Sequence, residues 1–285
     1  MSSAGSTVNA IAKAYVEACL LELDALKPGN VHRYAEGHGM TCADFEISAR
    51  VSAPEIAREG RRVGARIYHA VTATRTAVGK NTNLGVILLC APIAAAAERG
   101  EPLRAILDAL TLHYAQECFD AIASAAPGGL GSAAEHDVRA PATAPLRKAM
   151  SAAADRDLIG RQYANGFDDI AGLGLSQWRE ARGRGNGPAE SASTVYLGFL
   201  RTWPDSHIAR KFGLAVAQGV RNDAATRELP AAGPARRAAL MKWDADLKAR
   251  GLNPGTCADL TVATLFAAFL TERVSNVLQL FPNSG

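Results

Sequence analysis

Residues 27–33 combine several side chains that could take part in catalysis or phosphate binding. They supply an amide at Asn30, an imidazole at His32 and a cation at each end. A Pro-Gly pair at 28–29 stops the preceding helix, so these side chains lie on irregular backbone, where binding groups concentrate. We therefore predict that this loop contributes to a site for a small ligand.

Two later segments, residues 79–85 and 253–259, are also polar turns that contain glycine and open onto apolar helical runs. Within the first, Asn81, Thr82 or Asn83 could cap the following helix, and capping alone is the simpler interpretation. Two asparagines beside one threonine exceed what a single cap needs, so we favour backbone N–H groups that face a phosphate. Three such turns predict helix N-termini gathered around an anionic ligand.

Glu22 lies on the apolar stripe of the first predicted helix, where a carboxylate needs a partner. His32 and His38 follow in the first loop, and Asp44 begins the next helix. One loop histidine is usually just solvated, but two of them near Arg33 and these carboxylates favour a site. The histidines do not match a zinc spacing, so we predict carboxylates that hold Mg²⁺ against phosphates.

Five further candidates lie in the second half of the chain, and each has a structural alternative. Asp168 and Asp205 precede helical segments, where they could cap a helix or hold a metal. His207, Arg210 and Lys211 lie three and four residues apart, so they could form surface ion pairs or a cationic patch that faces a phosphate.

The last polar turn has a capping pattern of its own. Thr256 is followed three residues later by Asp259, which resembles a capping box. On this local pattern alone, a structural role for Asp259 is favoured over a functional one.

The composition is that of a soluble globular protein: 285 residues, 48% hydrophobic and 21% charged, with a net charge of +3. A charge this small does not indicate a nucleic-acid partner, but it suits a protein that binds phosphorylated metabolites. The five scattered cysteines argue against a disulfide framework. No segment reads as a signal peptide or a membrane span, so we expect a cytoplasmic protein.

Nearly every ordered segment has a helical pattern, which predicts an all-α fold in a single domain, residues 1–285, with residues 1–7 disordered. The first helix is expected at 8–26, a second begins at Asp44, and Ser52 restarts a helix ahead of Pro54. Further helices are predicted at 84–98, 103–125, 144–154, 168–182, 189–201, 206–220, 233–250 and 256–280. The apolar run 84–97 is predicted to be a buried core helix.

Taken together, the sequence resembles the triphosphoribosyl-dephospho-CoA synthase family, whose members supply the prosthetic-group precursor of citrate lyase and malonate decarboxylase. The segments that carry the resemblance are residues 27–33, 37–38, 44–48, 81–85 and 253–260. The first and last of them are the most specific. They occur in the family's order, so the resemblance covers most of the chain.

The resemblance implies an all-α transferase for which ATP is a substrate. ATP would lose adenine while its triphosphoribosyl group passes to the 2′-hydroxyl of dephospho-CoA. Such a transfer needs a Mg²⁺-bearing site for the triphosphate and a carboxylate near the reacting ribose carbon. Carried over by position, the family implies a carboxylate role for Glu22, phosphate contacts for Lys27 and Arg33, polar clamps at Asn81 and Asn83, and a metal or substrate ligand at Asp259.

The candidate residues then fall into three groups. We predict catalytic roles for Glu22, His32 and Asp44. We predict substrate contacts from Lys27, Asn30, Arg33, His38, Ser48, Asn81, Thr82, Asn83, His207, Arg210, Lys211, Gly255 and Thr256. We predict metal ligation by Asp168, Asp205 and Asp259.

The chain departs from the pattern of the citrate-lyase members at polar positions. Their Asn-Thr-His-Lys-Gly segment reads Asn-Thr-Asn-Leu-Gly at residues 81–85, which removes an imidazole and a cation. Alternatives therefore stay open: a related enzyme of methanopterin- or methanofuran-type cofactor synthesis, a hydrolase of an N-glycosidic or phosphate ester bond, or a nucleotide-binding protein without turnover. A homodimer is also compatible with the sequence.

Overall fold

The computed structural model describes residues 3–127, 135–274 and 280–281. Over those ranges the chain is helical and forms no β-strand, which confirms the predicted all-α fold. The helices are α1 (Ser3–Asp24), α2 (Cys42–Ile56), α3 (Val63–Val78), α4 (Leu84–Arg99), α5 (Leu103–Asp108), α6 (Leu112–Ala125), α7 (Leu146–Ser151), α8 (Leu158–Asn165), α9 (Leu175–Gly183), α10 (Pro188–Thr202), α11 (Ser206–Phe212), α12 (Leu214–Thr226), α13 (Pro234–Ala249) and α14 (Gly255–Arg273). A π-helical turn, Ile170–Gly174, leads into α9.

Helices α4 and α14 form the centre of the molecule. Every residue of α4 from Val86 to Ala97 is buried, which confirms the predicted core helix. A helix that is apolar on all sides has no face suited to water and is therefore enclosed by its neighbours. Helix α14 packs against α1, α4 and α10. The N-termini of α4 and α14 thus lie near the C-terminus of α1, where the first polar loop begins.

Helix α2 begins with a capping box rather than with Asp44 as its cap. Thr41 is the N-cap, its hydroxyl accepts from the Asp44 N–H, and the Asp44 carboxylate accepts from the Thr41 N–H. The predicted restart at Ser52 was wrong, because α2 continues through Pro54 to Ile56. One helix therefore places Asp44, Ser48 and Ser52 on successive turns.

Other boundaries also differ from the prediction. Helix α1 begins at Ser3, earlier than the predicted start at residue 8, while residues 1–2 lie outside the described part. The predicted helix at 103–125 is divided into α5 and α6, and Gly213 separates α11 from α12. Helices α3 and α8 were not predicted. Among the described helices, none is long and apolar enough to cross a membrane.

Candidate functional site

The three polar turns of the sequence meet at one cavity of about 650 Å³. Asn30 of the first loop, residues 81–83 of the second turn and Asn253 of the third all line it. Glu22 at the end of α1 and Asp259 in α14 add two carboxylates. Cavities of this size, largely apolar with a few convergent polar groups, are typical of sites for small molecules.

A chain of buried hydrogen bonds joins the first loop to the last turn. Lys27 forms an ion pair with Glu22 and donates to Asn30 Oδ1 at 2.8 Å. Asn30 Nδ2 in turn donates to Asn253 Oδ1 at 2.8 Å. The partner that Glu22 needs on its apolar stripe is therefore Lys27, five residues later in the sequence, and the glutamate is held at the cavity wall.

Burial and pairing act in opposite directions on this ion pair. Burial raises the pKa of Glu22, and the Lys27 ammonium partly lowers it again. Burial likewise lowers the pKa of Lys27, while Glu22 opposes the change. Because Lys27 is fully buried and lies behind Glu22 rather than in the cavity lining, its direct partner is the carboxylate and not a ligand.

Asp259 lies in the same cavity without such a partner. Its side chain has no hydrogen bond or ion pair with the residues that the structure describes. Burial raises the pKa of this carboxyl group well above its usual range, and the nearby carboxylates of Asp205 and Glu22 raise it further. Helix α14 starts at Gly255, after a Pro254 N-cap with no side-chain bond, so the expected capping box is absent and Asp259 is free of a capping role.

Gly85, in the first turn of α4, makes room for this carboxylate. A Cβ atom at position 85 would lie 2.1 Å from Asp259 Oδ2, far inside van der Waals contact. A hydrogen is therefore the only side chain that fits at this position while Asp259 keeps its place.

The second turn is fixed by hydroxyl and amide contacts to α2. Thr82 Oγ1 lies 2.5 Å from Ser48 Oγ, and Asn83 Nδ2 donates to Ser52 Oγ at 3.3 Å. Asn81 Oδ1 accepts from the Leu84 N–H at 3.3 Å, so Asn81 satisfies the first N–H of α4, whose N-cap position is Asn83. Of these side chains, the predicted Asn81, Thr82 and Asn83 line the cavity, while Ser48 positions Thr82 from behind.

The described lining carries more negative than positive charge. Its six carboxylates belong to Glu22, Glu135, Asp137, Asp155, Asp157 and Asp259, against the two guanidinium groups of Arg156 and Arg210. Arg210 is itself paired with Asp157, with Nη1 2.5 Å from Oδ2. A polyphosphate in this cavity would therefore need additional positive charge.

The residues 207–211 do not form the cationic patch that their spacing suggested. His207 lines the cavity beside Gly255, and burial together with Arg210 lowers its pKa to about 4, so it is neutral at pH 7. Arg210 also lines the cavity, whereas Lys211 is exposed and lies over the ring of Phe212. His207 therefore offers a neutral hydrogen-bonding imidazole.

Several predicted residues of the first loop lie behind or outside the lining. His32 is fully buried, and its Nε2 is 3.3 Å from Asp244 Oδ1 on α13. His38 Nε2 bonds the carbonyl of Gly29 at 2.8 Å. Arg33 is half-exposed and pairs with Asp24 and Glu46. These side chains hold the loop in place rather than forming the cavity surface.

Four predicted residues outside this loop also do not belong to the lining. Asp44 completes the capping box of α2 with Thr41 and pairs with Lys80 at 2.8 Å. Asp168 pairs with Arg104 on the surface. Asp205 caps α11 and accepts from the Cys257 N–H at 2.8 Å. Thr256 is buried at the start of α14, next to the lining residue Gly255.

The three predicted metal ligands are therefore not brought together, and the described residues include no group of three or more His, Cys, Asp or Glu that could hold a metal. Mg²⁺ does not need such a group, because it keeps several waters and binds through one or two carboxylates together with substrate phosphates. Asp259, a carboxylate without a partner in an acidic cavity, fits that requirement.

Two contributors to the site were missed by the sequence argument. Asn253 was seen as part of a turn but not as a site residue, although its pairing with Asn30 could be suspected from the asparagine in each motif. Asp157, which binds Arg210 and caps α8 through the N–H groups of residues 159 and 160, precedes a helix that was not predicted.

One protein family is similar to this chain over nearly its whole length. The family model for CitG, described as ATP:dephospho-CoA triphosphoribosyl transferase, matches residues 8–277. The match thus includes all three polar turns, Glu22 and Asp259.

Two curated relatives are similar over part of the chain. A 2-(5''-triphosphoribosyl)-3'-dephosphocoenzyme-A synthase of Klebsiella pneumoniae is 33% identical over 105 residues, which is 35% of this chain and 37% of the relative. A protein of Pseudomonas syringae pv. tomato named as a probable enzyme of the same kind is 32% identical over 108 residues, 37% of each chain. The chain thus spans little more than a third of the length of these relatives.

A solved structure from Archaeoglobus fulgidus, whose name assigns it to the triphosphoribosyl-dephospho-CoA synthases, shares the fold. It superposes with a TM-score of 0.59 and 22% identity, over 79% of this chain and 97% of that one.

Proposed function

Because the chain belongs to the family of ATP:dephospho-CoA triphosphoribosyl transferases, we propose that it transfers the triphosphoribosyl group of ATP to the 2′-hydroxyl of dephospho-CoA and releases adenine. The observation that supports this proposal most is the shared cavity of Glu22 and Asp259, two carboxylates from opposite ends of the chain. Glycosyl transfer at a ribose carbon is a reaction for which paired carboxylates are suited.

In this reaction the acceptor oxygen bonds to the ribose C1 as the bond from C1 to the adenine nitrogen breaks. Adenine leaves with the electron pair of that bond and takes up a proton. Glu22 accepts the proton of the acceptor hydroxyl and stabilises the positive charge that develops at C1. Lys27 and Asn30 keep the Glu22 carboxylate in a fixed orientation at the cavity wall.

Asp259 is the residue that would hold Mg²⁺, and Mg²⁺ when bound would neutralise part of the triphosphate charge. A cation beside Asp259 would also stabilise the ionised carboxylate and so oppose the effect of burial, which raises its pKa. Asn81 and Asn83 offer amide groups to the substrate from the second turn, and the neutral His207 offers a ring nitrogen.

The test is to incubate the purified protein with ATP, dephospho-CoA and Mg²⁺, and to follow adenine and the product mass by chromatography and mass spectrometry. Adenine together with a triphosphoribosyl adduct is the expected result. Adenine without an adduct would indicate a hydrolase. No adenine from a folded protein would refute the proposal and direct the search to other phosphorylated acceptors and donors, including precursors of one-carbon cofactors.

A further inference from the structure

A second, smaller cavity of about 260 Å³ lies on the other side of the turn that precedes α4. It shares Asn81, Asn83 and Leu84 with the main cavity, so this turn forms a wall of both. The remaining walls come from the C-terminal half of α3 and from Ala125 and Ala126 at the end of α6. Nothing in the proposed mechanism uses this space.

The charge of the second cavity is opposite to that of the first. Arg75 and Lys80 line it, and none of the described residues around it is acidic. The Arg75 side chain forms no ion pair or hydrogen bond with the described part of the chain. Lys80 has one partner, Asp44 Oδ2 at 2.8 Å. The simpler interpretation is a solvated arginine whose charge interacts favourably with the helix dipole at the C-terminus of α3.

A buried hydroxyl is a second, independent observation in favour of a ligand. Thr74 lines the cavity, is only 3% exposed, and its Oγ1 has no hydrogen-bond partner. A threonine inside a helix commonly bonds the carbonyl four residues earlier, as Thr72 and Thr264 do in this chain at 2.8 Å. A buried hydroxyl without a partner is unfavourable, and rotation of the Thr74 side chain towards the cavity would let it donate to an acceptor bound there.

We propose that this second cavity is a subsite for a phosphate or diphosphate group. The guanidinium of Arg75 suits the geometry of phosphate oxygens, and the Thr74 hydroxyl would donate to one of them. The assignment of that phosphate to ATP or to dephospho-CoA rests on the proposed function, whereas the anion site itself does not. Because the turn at residues 79–84 separates the two cavities, a ligand group here would lie next to the reaction site without occupying it.

Binding of inorganic pyrophosphate, measured by isothermal titration calorimetry without Mg²⁺ or nucleotide, tests the subsite. Arg75→Ala is expected to weaken binding at least tenfold, which corresponds to about 1.4 kcal/mol. The matched control is Arg179→Ala, because Arg179 is an exposed helical arginine on α9 that lines neither cavity. Equal affinity of the wild type and Arg75→Ala would overturn the proposal.

Thr74→Val separates ligand binding from folding. Valine has nearly the same shape and removes the hydroxyl that lacks a partner, so the melting temperature should stay the same or rise. Pyrophosphate affinity should nevertheless fall about fivefold. A variant with unchanged affinity would show that the hydroxyl does not face a bound anion, and the proposal would be wrong.

Steady-state kinetics of Arg75→Ala then identify the source of the phosphate. A higher KM for ATP alone would place part of its triphosphate in the subsite, and a higher KM for dephospho-CoA alone would place the acceptor's diphosphate there. Unchanged KM values for both would refute the assignment to a substrate. Pyrophosphate binding requires no turnover, so failure of the proposed function would not be confused with failure of the subsite.

Discussion

The end of α1 and the start of α14 each bring a carboxylate to the main cavity, but in opposite electrostatic settings. At the end of α1, Glu22 has the buried Lys27 directly behind it. At the start of α14, Asp259 has a glycine beside it and no partner among the described residues. Burial raises the pKa of both groups, yet only Glu22 has a directly bonded cation, Lys27, whereas Arg210 lowers the pKa of Asp259 without forming an ion pair with it.

This difference indicates that the two carboxylates have different roles. A paired and oriented carboxylate is suited to act on the reacting atoms, whereas an unpaired one in an acidic cavity is suited to receive a cation with the substrate. The hydrogen bond between Asn30 and Asn253 fixes the distance between the two regions.

Glu22→Gln removes the charge at the end of α1 and keeps its shape. We expect turnover, measured as adenine release, to fall about 10²–10⁴-fold, the usual contribution of a general base. Asp24→Asn is the control, because Asp24 lies on the same helix but pairs with Arg33 on the surface. Equal losses in the two folded variants would contradict the role of Glu22.

Lys27→Met removes the cation and makes the setting of Glu22 like that of Asp259. We expect a loss of about 3–5 kcal/mol in the free energy of unfolding, because a buried carboxylate is left unpaired. The loss should be measured by urea denaturation at pH 7.

Arg33→Met is the matched control for Lys27. Arg33 is also a cation of the first loop, but its ion pairs with Asp24 and Glu46 are solvent-exposed. Its removal should therefore cost less than about 1 kcal/mol. If Arg33→Met destabilised the protein as much as Lys27→Met, burial would not be what distinguishes the two cations.

His207 tests the last turn by its pH dependence. Its pKa is lowered from 6.5 to about 4 in the folded protein, so between these values the unfolded chain binds the extra proton. Stability should therefore fall as the pH decreases from 6.5 towards 4, by up to about 3 kcal/mol. The difference between the wild type and His207→Gln isolates this effect, and two parallel pH profiles would contradict it.

Asp259→Asn removes the unpaired carboxylate and should change stability less than Lys27→Met does, with the opposite sign. Because the folded pKa is raised, the ionised group destabilises the fold increasingly as the pH rises above the usual carboxyl range. The variant should therefore be more stable than the wild type at pH 7, by about 0.5–2 kcal/mol, with no difference at pH 3.

The response to Mg²⁺ tests whether Asp259 receives a cation. With ATP present, Mg²⁺ should raise the melting temperature of the wild type and of the surface control Asp168→Asn, but not of Asp259→Asn. An equal response of all three proteins would exclude Asp259 as a ligand.

The sequence was sufficient for the class of fold and for the segments that form the site. The continuous apolar run identified the core helix at 84–97, and helical periodicity identified the carboxylate on the stripe of α1. The glycine-containing turns marked the cavity wall. These signals are local, because each depends on residues within about two helical turns of one another.

Side-chain partners could not be predicted in the same way. The polar residues of the first loop look alike in sequence, yet Lys27 faces Glu22, His32 faces Asp244 and Arg33 faces the surface. Which of them lines the cavity depends on how the loop reverses and on where α13 packs, more than 200 residues later. Asp259 likewise resembled a capping residue until the start of α14 was located.

The contact between Gly85 and Asp259 predicts which residues can occur together at these two positions in related chains. With an aspartate at position 259 there is no space for a methyl group at position 85, since the two would be 2.1 Å apart. The two positions, 174 residues apart in the chain, should therefore be inherited as a pair. Relatives that carry a larger residue at the position of Gly85 should also carry a smaller one in place of Asp259, and such chains would lack this unpaired carboxylate.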